Sequence, residues 1–227
     1  MKTAILVDGA FYRQKAEELF GYKSAEDRAR ELFAYCLNHL NNEKEARELY
    51  RIFYYDCPPI DKKVYHPLKK ADIELKQSNI YNWMNTFLEE LTKKRRVALR
   101  LGRLAKQATY TLQPSVVKEL LDSKKTLSDL TEADFFLDVK QKGVDMRIGL
   151  DISSIAYKRQ VDQIILIAGD SDFVPAAKHA RREGIDFILD NMGHRINPDL
   201  HEHIDGLETH YKDFQKKAAH STAKSTT

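Results

Sequence analysis

Two stretches decide the fold: TAILVDG at residues 3–9 and QIILIAGDSDF at residues 163–173. Each is a short unbroken apolar run that closes on an aspartate, the pattern of a strand buried on both faces of a parallel sheet. Working outward, YRIFYY (50–55) reads as a second strand closed by Asp56-Cys57-Pro58-Pro59, VALRL (97–101) as a third, and DFIL (186–189) as another. Helical periodicity fills most of the spaces between them, at about 11–20, 25–42, 73–94, 144–159 and 173–183, with mixed signals from 104 to 140 and an extended segment at 135–139. Alternating strands and helices predict an α/β protein, a three-layer α/β/α Rossmann-like sandwich with a mainly parallel sheet. Right-handed crossovers then favour the strand order 3-2-1-4-5.

The chain has 227 residues, 42% of them hydrophobic, enough for one α/β domain with a sizeable core. We place that domain at residues 1–207 and a polar tail at 208–227, its small, polar end from 218 disordered. The sequence opens MKTAILVDGA without the charged and apolar regions of a signal peptide, and no apolar run nears the roughly 20 residues a membrane span requires. A cytoplasmic protein with no membrane association is expected. Cys36 and Cys57 are read as two free thiols, and without a CxxC pair they offer no zinc site. A net charge of +3 is too small to identify a nucleic-acid binder. The basic run Lys93, Lys94, Arg95, Arg96, Arg100, Arg103 and Lys106 fits a solvated helix end as well as a binding surface.

The aspartates carry more information. In the expected topology Asp8 and Asp170 end neighbouring strands and meet at the switch point on the carboxyl edge of the sheet. Asp172 follows at the start of the next helix. On a helical wheel of about 100° per residue, Asp145 lies on the stripe of Ile148, Ile152, Ile155 and Ala156, so its carboxylate is expected to face inward. Asp151 lies about 120° from Asp145, nearer the edge of the stripe. Each has an ordinary explanation: a turn at Asp8-Gly9, a cap at Asp172, an N-cap at Asp145. Convergence of the set is harder to explain that way, because grouped carboxylates repel and require a cation. Mg²⁺ or Mn²⁺ suits hard oxygen ligands with no competing His/Cys set.

VDGAFYR (7–13), YYDCPP (54–59), QKGVDMRIGLDI (141–152), LIAGDSDFVPAAKHAR (166–181) and REGIDFILDN (182–191) together resemble the NYN domain family of PIN-like nucleases, in particular its LabA-like bacterial branch. The resemblance spans most of residues 1–207. It implies a metal-dependent endoribonuclease with Asp8, Asp145, Asp170 and Asp172 as the catalytic and metal-binding residues, Asp151 as a further metal candidate, and single-stranded or structured RNA as substrate. Phe11 departs from the pattern: many relatives carry at that position an Asn that helps order the site. Ser171, Lys142, Lys178, Arg181 and Arg182 are candidate RNA contacts, and Tyr54, Tyr55 and Trp83 could stack on bases, although strand packing is the commoner role of the tyrosines. The lone pair His201 and His203 reads as surface. A non-catalytic RNA-binding or regulatory module on the same fold is the main rival. A phosphatase is less favoured, since no second aspartate lies two residues after Asp8. Absent GxGxxG, Walker A and GxSxG segments leave dinucleotide, nucleotide-hydrolysing and serine-hydrolase chemistry without support. The oligomeric state, a homo-oligomer included, stays open.

Overall fold

The structure is a computed structural model and describes residues 1–41, 45–196, 198–212 and 214–215. The expected tail end at 218–227 lies outside the described residues.

The central sheet has six strands, all parallel, in the order β10-β9-β8-β1-β2-β5. These are β1 (Lys2–Asp8), β2 (Glu48–Asp56), β5 (Val97–Leu101), β8 (Gln163–Ile167), β9 (Asp186–Asp190) and the two-residue β10 (Gly206–Leu207). The order 3-2-1-4-5 is thus present, extended by one short edge strand. β1 sits at the centre because Ala4–Val7 carries no polar side chain, and all four residues are fully buried. Alternate residues face opposite layers. Ala4 and Leu6 join Ile164, Leu166, Phe187 and the helices α5 (Val144–Tyr157) and α6 (Val174–Arg182). Ile5 and Val7 join Ile165, Ile167 and the helices α1 (Gly9–Phe20), α2 (Ala25–Asn38) and α3 (Asn79–Thr92). Full burial of each such aliphatic side chain contributes about 1.5–3 kcal/mol. Cys36 and Cys57 are free and buried, in cores on opposite faces of the sheet.

Two antiparallel hairpins decorate the carboxyl side of β5. One pairs β3 (Lys63–His66) with β4 (Ala71–Glu74); the other pairs β6 (Arg103–Leu112) with β7 (Phe135–Lys142) and carries α4 (Pro114–Leu121) in its connection. They meet where the His66 ring packs 4.5 Å from Tyr110 and 5.0 Å from Phe135. The single helix expected over 73–94 is therefore a strand, a 3-10 turn and a helix. Ser78 starts α3 by accepting the Tyr81 amide at 3.1 Å, and residues 71–74 are held extended by β3. A short helix α7 (Pro198–His201) precedes β10. The folded unit runs on past Leu207: Tyr211 and Phe214 pack on the α1/α2 side, with the Phe214 ring 5.4 Å from Phe20 and 5.6 Å from Tyr35.

Candidate active site at the carboxyl edge of the sheet

β1 and β8 are hydrogen-bonded neighbours with Val7 opposite Ile167, so Asp8 and Asp170 leave the sheet at the same edge. Asp8 ends β1 and caps α1, its Oδ1 accepting the amides of Ala10 (3.1 Å) and Phe11 (3.2 Å). That sharp entry requires Gly9, since a Cβ there would lie 2.5 Å from the Tyr54 hydroxyl and 2.6 Å from the Tyr55 carbonyl oxygen. Asp170 accepts the Asp172 amide at 3.1 Å and starts a 3-10 turn, Ser171–Phe173, ahead of α6. One hollow is lined by Asp8, Phe11, Asp170, Ser171, His194 and Arg195. The adjoining one is lined by Asp145, Ser171, Asp172 and Asp199 among others. Ser171 belongs to both.

Asp145 lies in the first turn of α5, after Gly143, whose φ of +76° lets the β7 arm swing into the helix. The expected stripe is present, with Ile148, Ile152, Ile155 and Ala156 buried, but Asp145 itself is exposed. A wheel gives direction and not depth. α5 runs back over the sheet from its carboxyl edge, so the first turn overhangs that edge and points its carboxylate into the open crevice.

Electrostatics tie the four together. Burial is the main cause that raises the Asp8 carboxyl to about 6; the Phe11 and Ala10 amides oppose it, while the charges of Asp145 and Asp56 add to it. Asp145 is raised by partial desolvation and by Asp170 and Asp172. Among the described residues no lysine or arginine forms an ion pair with Asp8, Asp145, Asp170 or Asp172. Nor do any three of them present oxygens that all lie within 4.8 Å of one another, so the crevice is open and unlike a closed chelating cage. Hard divalent ions that keep several of their waters suit such a set.

The sign of the Asp8 effect follows from linkage. The unfolded chain releases this proton near 3.8 and the folded chain near 6, so the carboxylate penalises folding progressively between those pH values and fully above them. In a chelator, Asp8→Asn is expected to raise Tm at pH 7.5 by roughly 2–4 °C, equivalent to about 1 kcal/mol for a chain of this size, because Asn keeps the helix cap and removes the charge. At pH 4, close to the unfolded value, the gain should shrink to a small fraction of that. Thermal melts at both pH values check this, and an equal gain at each would refute it.

Other candidates fall elsewhere. Asp151 is not gathered with the four: its Oδ2 accepts the Tyr55 hydroxyl at 2.9 Å and pairs with Arg100 Nε at 3.0 Å. Lys178, Arg181 and Arg182 line a depression with Asp186 at the start of β9, the opposite edge of the sheet, and Arg181 is paired with Asp205 at 2.8 Å. Tyr54 and Tyr55 are fully buried, and Trp83 stacks on Phe87 and donates to the Lys23 carbonyl, so all three serve packing. The basic run is dispersed: Lys93 pairs with Glu89 and Glu90, Arg96 donates to the Leu49 carbonyl and Arg100 holds Asp151. Lys142 does lie near the crevice, in a hollow with Arg103 and Arg147 that shares Met146 and Leu150 with the Asp145 hollow.

Several neighbours had no distinct sequence signal. His194 and Arg195 reach the Asp8 hollow from the irregular stretch after β9. Asp56, ending β2, is a fifth carboxylate on this edge, only 1% exposed and held by Arg13, Tyr54 and the Cys57 amide. Its strand-terminal position in YYDC was the available clue.

A three-layer sandwich on a parallel sheet, with unpaired acids at its switch point, defines a PIN-like α/β protein. Residues 2–195 match the NYN domain, and the chain belongs to that family. The NYN domain is generally a nuclease domain acting on RNA, and nucleases of this type typically use divalent metals. Among solved structures the chain is similar to a protein of unknown function from Vibrio parahaemolyticus, at 15% identity and a TM-score of 0.48 over 92% of this chain and 91% of that one. No curated protein matches the sequence. No helix of the described residues is long and apolar enough to cross a membrane.

Proposed function

We propose that this protein is an endoribonuclease that hydrolyses RNA phosphodiester bonds with the help of Mg²⁺ or Mn²⁺. The observation that carries the reading is the convergence of Asp8, Asp145, Asp170 and Asp172 on one edge without a basic partner. Desolvation first and repulsion by neighbouring acids second raise Asp8 and Asp145, which is the state a divalent cation relieves. The donor set fits a hard ion: four carboxylates, three of them exposed and Asp8 part-buried, with no cysteine lining either hollow and His194 as the one imidazole in the Asp8 hollow. When bound there, such an ion would supply an activated water at neutral pH and neutralise charge building on the phosphate.

The chain's own side chains do the rest. Asp8 and Asp170, braced by backbone amides, hold their carboxylates where the two strands end. Arg195 on one side and Arg103, Lys142 and Arg147 on the other offer cations to the phosphates flanking the scissile bond. Ser171, between the two hollows, is placed to donate its hydroxyl to a phosphate oxygen.

The test is incubation of the protein with labelled single-stranded RNA, structured RNA, DNA and a phosphomonoester, with Mn²⁺, Mg²⁺ or a chelator. RNA cut only in the presence of metal is the expected result. Binding without cutting under all conditions would replace this reading with a non-catalytic module, and turnover of the monoester alone with a phosphatase.

A further inference from the structure

We propose that His39, Glu208 and His210 form a zinc-binding site separate from the carboxylate crevice. One nitrogen of each imidazole and one oxygen of Glu208 all lie within 4.8 Å of one another, the single such group of three among the described residues. It shares no residue with either hollow of the crevice.

His39 carries the argument. It follows α2 and its side chain is completely buried. Its Nε2 lies 2.9 Å from Asp190 Oδ2. A carboxylate only accepts, so the neutral ring places its proton on Nε2 and leaves Nδ1 as a bare lone pair. That Nδ1 is buried and has no hydrogen-bond partner. An acceptor taken out of water without a donor is costly, and in native proteins it usually marks a missing partner. A histidine whose far nitrogen donates to a carboxylate is the arrangement that metal-ligating histidines adopt. Asp190 is itself fixed by the Tyr35 hydroxyl at 2.6 Å and the Met192 amide at 2.8 Å.

The other two ligands come from the segment just after β10. The His210 ring meets His39 edge to face, 4.5 Å between centroids, and its Nε2 lies 3.0 Å from Glu208 Oε1. Arg47 grips both Glu208 oxygens at 2.9 Å. Each carboxylate oxygen has a second lone pair, so Arg47 orients the group without exhausting it. Two imidazoles and one carboxylate form a common zinc set, with a water as the fourth ligand. Binding replaces the hydrogen bond between His210 and Glu208 with bonds from both to the ion, the His210 proton moving to its other nitrogen. The ion would clamp the segment after β10 onto the end of α2.

Zinc retention by the full chain against a chromophoric chelator tests this, beside His210→Ala, Glu208→Gln and Asp170→Asn. The expected result is one tightly held Zn²⁺ per chain in the parent and in Asp170→Asn, and none in His210→Ala or Glu208→Gln. Co²⁺ loading should give visible absorption bands of a four-coordinate site that disappear in the same two variants. Circular dichroism in a chelator shows which variants fold; if His210→Ala does not, Glu208→Gln decides. No Zn²⁺ on the parent, undiminished Zn²⁺ on the folded variants, or loss in Asp170→Asn alone would each overturn the proposal.

Discussion

Asp145→Asn and Asp170→Asn are expected to cut RNA in Mn²⁺ at least on the order of 10²–10³ times more slowly than the parent, the scale reached when one preorganised electrostatic group is removed from an active site. Neither change should harm the fold. Asp145 is exposed on the overhanging turn of α5, and Asn at 170 can still accept the Asp172 amide. Exposed substitutions of this kind usually move stability by no more than about 0.5 kcal/mol, and here relief of repulsion within the crevice favours the variants. A matched control is Asp151→Asn. It touches the same helix, but this carboxylate is committed to Arg100 and Tyr55, so cleavage should stay within a few-fold of the parent. Measured kcat/KM values beside melting curves separate the cases. Full activity in Asp170→Asn, or equal losses in all three, would remove the crevice from the reaction.

That contrast between Asp145 and Asp151 also shows what sequence could convey. Strands buried on both faces announce themselves, because apolar side chains fit there: 3–7, 163–168 and 186–189 were readable in this way, 50–55 and the edge strand 97–101 were readable from their apolar runs despite the exposed Arg51 and Arg100, and the crossover rule then ordered them. Solvent-facing hairpins do not. Arg103–Leu112 (RLAKQATYTL) mixes charged, polar and apolar residues without a regular period and pairs only with β7, so no run distinguishes it from a loop. Along a helix, sequence gives azimuth and misses axial position. Asp145 was correctly placed on the stripe and wrongly placed in depth. Lys178, Arg181 and Arg182 were near Asp172 in number, yet α6 carries them to the far edge at 1.5 Å per residue. Contacts closed by tertiary structure left the weakest trace: the pair of Arg13 with Asp56 spans 43 residues, and His39 meets His210 only because the segment after β10 folds back over α2.

Loss of Arg13 should produce the largest stability change near the site. Asp56 is 1% exposed and takes both the Nε and a terminal nitrogen of Arg13, at 3.0 and 3.1 Å. Removing one partner of a buried pair strands the other charge, at about 3–5 kcal/mol. Arg13 is itself 29% exposed, and Asp56 keeps the Tyr54 hydroxyl, the Cys57 amide and Gln141 Nε2 as donors, which lowers the expectation for Arg13→Met to about 2–4 kcal/mol. For a chain of this length that is a fall in Tm of at least roughly 5 °C. The double variant Arg13→Met/Asp56→Asn should recover much of it, since the stranded charge and not the missing guanidinium is the main penalty. The effect also reaches the crevice. Asp56 helps to raise Asp8, so an uncompensated Asp56 adds to the repulsion there, and Mn²⁺ should stabilise Arg13→Met by more than it stabilises the parent. Melting curves of the parent, both single variants and the double variant, each with Mn²⁺ and with chelator, measure the coupling directly. Additive losses with an identical metal response in all four would show that Arg13 and Asp56 brace β2 without any influence on the acids beside them.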